Sequence, residues 1–221
     1  MDVSADTLRF EEMRAAMVAS QLRTSAVDDA RVVKVMGEVP RERFVPADLR
    51  AIAYYDRDVA LGNGRAMNAP LATARLVNEA EILSTDRVLL VGAATGYTAA
   101  VLAGLAGSVV ALEEDATLAA QAREALAGIG NVTVVEGPLV EGWAQGGPYD
   151  VIVIDGAVES VPEAIVQQAK IDGRITTGLI DRGVSRLAAG RRSEGGFGLA
   201  DFADVDCVAL PGFAKPPTFQ F

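Results

Sequence analysis

The sequence predicts an α/β protein: a mostly parallel sheet with helices on both faces, carrying an N-terminal helical extension. Three observations predict it. From residue 86 onward, short apolar runs alternate with helix-forming stretches over short connections, the rhythm of a parallel sheet covered on both sides. Those runs are continuous rather than alternating in polarity, as strands buried on both faces require. Before residue 80 the rhythm is missing, and apolar residues instead recur at helical spacing between charges. On this reading the 221 residues form one domain, with an extension over residues 1–80 and the sheet-bearing core over 81–221.

The elements follow in order. Phe10, Met13, Ala16, Met17 and Leu22 mark a first helical stretch, and Val32, Val33, Val35 and Met36 a second, behind Asp28 and Asp29. Pro40 and Pro46 cannot share one regular helix, so the segment between them is a fixed turn region. Residues 53–64 are irregular and end in Gly62-Asn63-Gly64. Pro70 starts a helix over residues 71–83. Strands are expected at 87–91, 108–112, 132–135, 151–154 and 174–177, and helices at 97–105, 116–126 and 162–169. Residues 178–198, rich in glycine and arginine, lose the rhythm. Residues 204–210 are expected to form a final strand, antiparallel at the sheet edge.

Composition narrows the chemistry. No histidine is present, which excludes histidine triads and dyads, histidine-ligated metals and imidazole acid–base catalysis. Cys207 is the single cysteine, so neither an internal disulfide nor a cysteine metal cluster can form. The net charge of −10 repels phosphate backbones and argues against nucleic acid as a partner. The first residues lack a signal-peptide pattern and no run approaches the ~18–20 apolar residues of a membrane span, so a cytoplasmic protein without membrane or metal is expected.

Val91-Gly92-Ala93-Ala94-Thr95-Gly96-Tyr97 joins the first expected core strand to its helix. Glycines there let the backbone turn sharply, and the helix N-terminus offers free N–H donors. The spacing is not that of the dinucleotide fingerprint, and a plain strand-to-helix turn fits the glycines equally well. Glu113 lies 21 residues after Gly92 at the end of the next strand, where an acid can accept from ribose hydroxyls or simply begin a solvated helix. Together, the turn and the acid favour a nucleoside-bearing cofactor.

Four strings then carry a resemblance: Val39-Pro40-Arg41-Glu42-x-Phe44-Val45-Pro46; Ala53-Tyr54-x-Asp56; Gly62-Asn63-Gly64; and Val91-Gly92-x-x-x-Gly96-Tyr97-x-Ala99-Ala100-Val101-Leu102-Ala103. In order and spacing, from about residue 10 to 177, the chain resembles the protein-L-isoaspartate O-methyltransferases, repair enzymes that use S-adenosylmethionine. The resemblance implies a Rossmann-like class I methyltransferase fold. It implies that Gly92, Ala94, Thr95, Gly96 and Tyr97 wrap the methionine part of the cofactor, that Glu113 holds the ribose, and that Gly137 lies near the adenine. Tyr54, Asp56, Met67 and Asn68 fall on the substrate side, within or just before the segment from Gly64 to Pro70, and Asn68 stands at the family's catalytic serine. Isoaspartyl peptides or proteins are the implied partners.

The departures are specific. Leu90 replaces an acid before the glycine turn, Ala94 the middle glycine, Pro138 and Leu139 the Asp-Gly after the third strand, and no proline matches at Thr177-Gly178. Each charged hydrogen bond contributes ~1–3 kcal/mol, so losing two or three weakens cofactor affinity by ~10²–10⁴ unless something replaces them. Asp155, at a strand end facing the ligand crevice, offers either a replacement contact or a helix cap. Tyr54, Tyr55 and Asp56 line a cleft or pack the extension. Arg182, Arg186, Arg191 and Arg192 read as a solvated basic face, and Trp143 and Cys207 as packing residues. Methylating a carboxylate needs no general base, which suits a chain without histidine. Three functions stand: a carboxyl methyltransferase of the isoaspartyl type, a repurposed fold that binds a ligand or protein with weak or no methyl transfer, and a methyltransferase acting on a small molecule.

Overall fold

A computed structural model describes residues 3–215; the first two residues of the expected N-terminal helical region and the last six of the core lie outside them. The extension comprises α1 (Val3–Met17), which runs on into a π-helical turn to Leu22, and α2 (Ala30–Glu38). Asp29 caps α2 by accepting from the Arg31 N–H at 2.8 Å, and Val32 and Met36, one turn apart, are buried. The proline segment forms two short 3₁₀ turns, Arg41–Phe44 and Ala47–Ile52. A small hairpin follows, β1 (Val59–Gly62) and β2 (Arg65–Met67), turning through Gly62-Asn63-Gly64. Pro70 occupies the first turn of α3 (Pro70–Glu79).

The core then alternates as expected: β3 (Arg87–Val91), α4 (Tyr97–Ala103), β4 (Ser108–Glu113), α5 (Ala116–Ala125), β5 (Val132–Glu136), β6 (Tyr149–Val158), α6 (Glu163–Val166) and β7 (Ala169–Asp181). β3 to β7 are parallel neighbours, and β8 (Val184–Arg191) and β9 (Ala200–Ala203) complete a seven-stranded sheet in the order β5-β4-β3-β6-β7-β8-β9. The order reverses between β3 and β6, and the crevice beyond the carboxyl ends of those strands is where open α/β sheets bind ligands.

Alternation along β3 separates two cores. Val88 and Leu90 face a cluster that includes Met17, Met36, Phe44 and Leu102, whereas Leu89 and Val91 face one that includes Ile154, Ile165, Leu210 and Phe213. Leu90 is therefore a packing residue under the extension, where a carboxylate would be buried among hydrocarbons.

Three expectations are corrected. The edge is built by β8 and β9, not by residues 204–210, which are irregular apart from one parallel bridge between Ala157 and Ala209. β7 turns into β8 through Arg182-Gly183, both with positive φ, a two-residue hairpin in a region expected to be patternless. The expected helix at 162–169 is a single turn, because the chain re-enters the sheet at Ala169. The arginines there are largely paired: Arg186 with Asp204, Arg191 with Glu81, and Arg192 with the carbonyls of Gln167 and Ala169.

One buried side chain docks the extension on the core. Arg41 is fully buried, donates from Nε to the Ala53 carbonyl (2.7 Å) and from Nη2 to the Asn68 carbonyl (2.5 Å), and lies 4.7 Å from the Tyr97 ring centroid. Burial lowers its pKa, and the facing Tyr97 and Asp155 oppose that shift. Arg41→Ala should cost about 3–5 kcal/mol in urea unfolding, through a cavity and two stranded carbonyls. Arg41→Lys should recover little, since one ammonium cannot span both carbonyls and cover the ring.

Candidate functional site

The crevice at the carboxyl ends of β3, β4 and β6 is shaped by backbone first. Gly92, Ala94 and Gly96 all have positive φ (85°, 49° and 98°), so the chain leaves β3 through a tight left-handed path into α4. Ala94 adopts this conformation with its side chain buried and its N–H aimed at Glu113.

Glu113, the last residue of β4, is fully buried. Its Oε2 accepts from the Ala94 N–H at 2.7 Å, and its Oε1 accepts from the N–H groups of Glu114 and Asp115, each at 3.0 Å. Arg65, from β2, completes the arrangement with both guanidinium nitrogens: Nη1 donates to Oε1 and Nη2 to Oε2, the latter at 2.9 Å. Only 6% of the Arg65 side chain is exposed. A planar fork on a carboxylate is the strongest form of protein ion pair, and removing one member of a buried pair typically costs about 3–5 kcal/mol.

Three residues along the same segment stands Asn68, 1% exposed. Its Nδ2 donates to Asp155 Oδ1 (2.8 Å), and its Oδ1 accepts from the Val208 N–H (2.8 Å) and from Cys207 Sγ (3.2 Å). Asp155 also accepts from Thr98 Oγ1 at 2.5 Å. Asp155 thus lies within β6 as a partner of Asn68, and Pro162, not Asp155, precedes α6 as its cap residue. Burial raises the Asp155 pKa; the bonds from Thr98 and Asn68 and the charges of Arg41 and Arg65 oppose the shift. Burial also pushes the Cys207 thiol up, and its sulfur stands as a hydrogen-bond donor to Asn68.

Two cavities flank this centre. One of about 540 Å³ is lined by Asp56, Arg57, Asp58, Asn68, Asp206 and Cys207. The other, about 560 Å³, lies beyond β4 and β5 and is lined by Glu114, Asp115, Glu136, Gly137 and Pro138.

The expected site residues distribute unevenly over this geometry. Gly92, Ala94, Gly96 and Glu113 surround the crevice, Gly137 lies on its far cavity, and Asp56 and Asn68 line the near one. The others turn away. Thr95 donates its hydroxyl to the Phe44 carbonyl (2.6 Å), and Tyr97 is buried edge-on against Phe44 with Arg41 over its ring. Tyr54 belongs to the extension, where it accepts from Arg14 Nε (2.9 Å) and donates to Glu42; Met67 is buried in the core. Neither lines the near cavity, and both are buried in the core cluster under the extension. Cys207, in turn, is not mere packing, since it touches Asn68. Arg65, Thr98 and Leu210 were not singled out by the sequence.

A family model described as Protein-L-isoaspartate(D-aspartate) O-methyltransferase (PCMT) matches residues 12–210. The chain belongs to the protein-L-isoaspartate O-methyltransferase family. It is 37% identical over 95% of its length to Protein-L-isoaspartate O-methyltransferase 1 of Rhodopseudomonas palustris (strain HaA2), covering 87% of that protein. It is 36% identical to the Koribacter versatilis enzyme of the family, over 96% of each chain. A solved protein-L-isoaspartate O-methyltransferase shares the fold with a TM-score of 0.78 at 23% identity, over 90% of this chain and 66% of that one. A Plasmodium falciparum structure, solved in complex with S-adenosyl-L-homocysteine, gives 0.74 at 20% identity, over 89% and 97%.

S-adenosylmethionine is the cofactor of the family, and the residues here meet its demands only in part. The left-handed glycine turn and an acid at the end of β4 are present. The acid is saturated, however: five donors already meet a carboxylate with about four lone-pair sites. The space over the turn is also filled, since a Cβ on Gly92 would lie 3.1 Å from a Leu210 methyl. In this conformation Glu113 has no free acceptor site and Leu210 stands over Gly92.

The Asp155 shift has a readable consequence. A carboxyl whose pKa rises on folding takes up protons as the chain folds, so its contribution to stability falls as pH climbs past the ordinary value of 3.8. The stability difference between wild type and Asp155→Asn, from urea unfolding, should therefore move against the wild type from pH 4 to 7. A difference that moves in its favour would mean that the arginines outweigh burial.

Proposed function

We propose that the chain is an S-adenosylmethionine-dependent carboxyl methyltransferase that methylates isoaspartyl residues in damaged proteins, acting in the cytoplasm. The observation that carries this reading is a family match running from the extension through the glycine turn to the tail at residue 210, so that every segment meeting at Asn68 lies inside it. The near cavity, with Asn68 and Asp56 in its wall, is the assigned place for the peptide.

A carboxylate is an anion at neutral pH and no proton has to be removed before it attacks. The protein's task is to hold that oxygen still and keep water away. Asn68 is suited to holding it. Three bonds fix its amide plane, and one of its two N–H groups is committed to Asp155. Asp155 is a positioning residue: it sets the orientation of that amide from within a rigid strand.

The wall of this cavity also sets a charge preference. Asp56, Asp58 and Asp206 are exposed there beside one cation, Arg57, on a chain of net charge −10. An acidic peptide is repelled, whereas one with lysines flanking the isoaspartyl residue is drawn in. Purified protein should transfer methyl groups from S-adenosylmethionine to a lysine-flanked isoaspartyl peptide with a lower KM than to a glutamate-flanked one. The gap should narrow as salt rises from about 0.05 to 0.5 M. Asn68→Ala should lower kcat/KM by about 10–100-fold. No transfer to any isoaspartyl peptide, under conditions where a family relative is active, overturns the reading.

A further inference from the structure

The cofactor side of the crevice is closed by the protein's own residues while the peptide side is open, and the closure has the construction of a plug. Arg65 supplies its polar half. Its guanidinium covers both carboxylate oxygens of Glu113 and reaches within 3.8 Å of where a Cβ on Gly92 would stand. Glu113 is then left without an acceptor site for the two hydroxyls of a ribose. Leu210 supplies the apolar half. Its side chain packs over the same glycine and over Gly156, where an added Cβ would come within 2.4 Å of it.

Both halves sit on segments outside the strands of the main sheet. Arg65 follows a turn in which Gly62, Asn63 and Gly64 all have positive φ, and nothing lies within 4 Å of a Cβ built on either glycine. The turn is anchored to the core through Asn63 Nδ2, which donates to Asp115 Oδ2 at 3.1 Å. Leu210 is on the irregular tail, attached through Ala157: the Ala157 N–H donates to Val208 O (2.7 Å) and the Leu210 N–H to Ala157 O (3.0 Å). The two segments meet at Asn68, which lies three residues after Arg65 and accepts from Val208 and Cys207 of the tail. Beyond the plug, the cavity beside Gly137 is open, so it is the stretch from Glu113 to Gly92 that is blocked.

We infer that Arg65 and Leu210 form an internal plug that competes with S-adenosyl ligands for Glu113 and for the space over Gly92, making affinity for the cofactor weak until both are displaced. The inference rests on the methyltransferase reading for the identity of the ligand, but not on turnover. Arg65 acts through Glu113, and Leu210 by volume alone.

The test is calorimetric titration of S-adenosylhomocysteine into the intact chain, as wild type, Arg65→Gln and Leu210→Ala. Glutamine leaves one amide donor for Glu113 and so keeps a partner at the buried carboxylate. Leu210→Ala does not touch the ion pair and carries the test alone if the first variant fails to fold by circular dichroism. The plug predicts at least tenfold tighter binding in each folded variant than in wild type. Damage to the fold cannot produce such a gain. Folded variants that bind no tighter than wild type overturn the inference. If the wild type in that case binds and methylates an isoaspartyl peptide, the functional reading stands. If no form binds at millimolar ligand, both fall.

Discussion

The buried fork between Arg65 and Glu113 is the contact on which the arrangement of the crevice depends. It joins a two-stranded hairpin outside the main sheet to the end of β4, across 48 residues of chain. Burying two charges is costly, and what makes this pair tolerable is complete hydrogen bonding of the carboxylate by Arg65 and three backbone amides. Those amides belong to the turn after β3 and the approach to α5, so the pair also fixes the path of both connections. With the hairpin seated, β2 delivers Asn68 to its place beside β6.

Around Asn68 the same logic continues with hydrogen-bond partners from other elements. Asp155, Thr98, Cys207 and Val208 come from a strand, a helix and the tail, and each meets another member of the group. Arg41 closes the set from the extension by holding the Asn68 carbonyl. The crevice is therefore an interlocked polar cluster in which two cations, Arg41 and Arg65, face two carboxylic acids, Glu113 and Asp155. In such a cluster no single group moves without leaving another unsatisfied in a low-dielectric setting. This is why a side chain in the hairpin can govern what happens above Gly92.

The sheet was legible because its signals are local. Continuous apolar runs gave β3, β4, β5 and the centres of β6 and β7, and Pro70 marked the start of α3. β8 and β9 were not, because their partly exposed strands carry no long apolar run; the Arg182-Gly183 pair was the available turn signal. Of the site, Gly92, Gly96 and Glu113 were visible through spacing, and Asn68 through the resemblance. Arg65 was not, since nothing near it announces a carboxylate 48 residues away. The contacts of Tyr54 were hidden for the matching reason: its partners Arg14 and Glu42 lie in the extension, and only tertiary structure brings them together. The departure at Leu90 makes local sense as core packing, whereas Ala94 holds a left-handed conformation that favours glycine.

The relation between the ion pair and the cofactor is the central claim, and a crystal structure of the chain with S-adenosylhomocysteine at saturating concentration tests it most directly. The expected result is that Glu113 has exchanged the Arg65 guanidinium for ribose hydroxyls, with Leu210 withdrawn from Gly92. A ligand seated along Gly92–Gly96 while Arg65 still bridges both oxygens of Glu113 would contradict it.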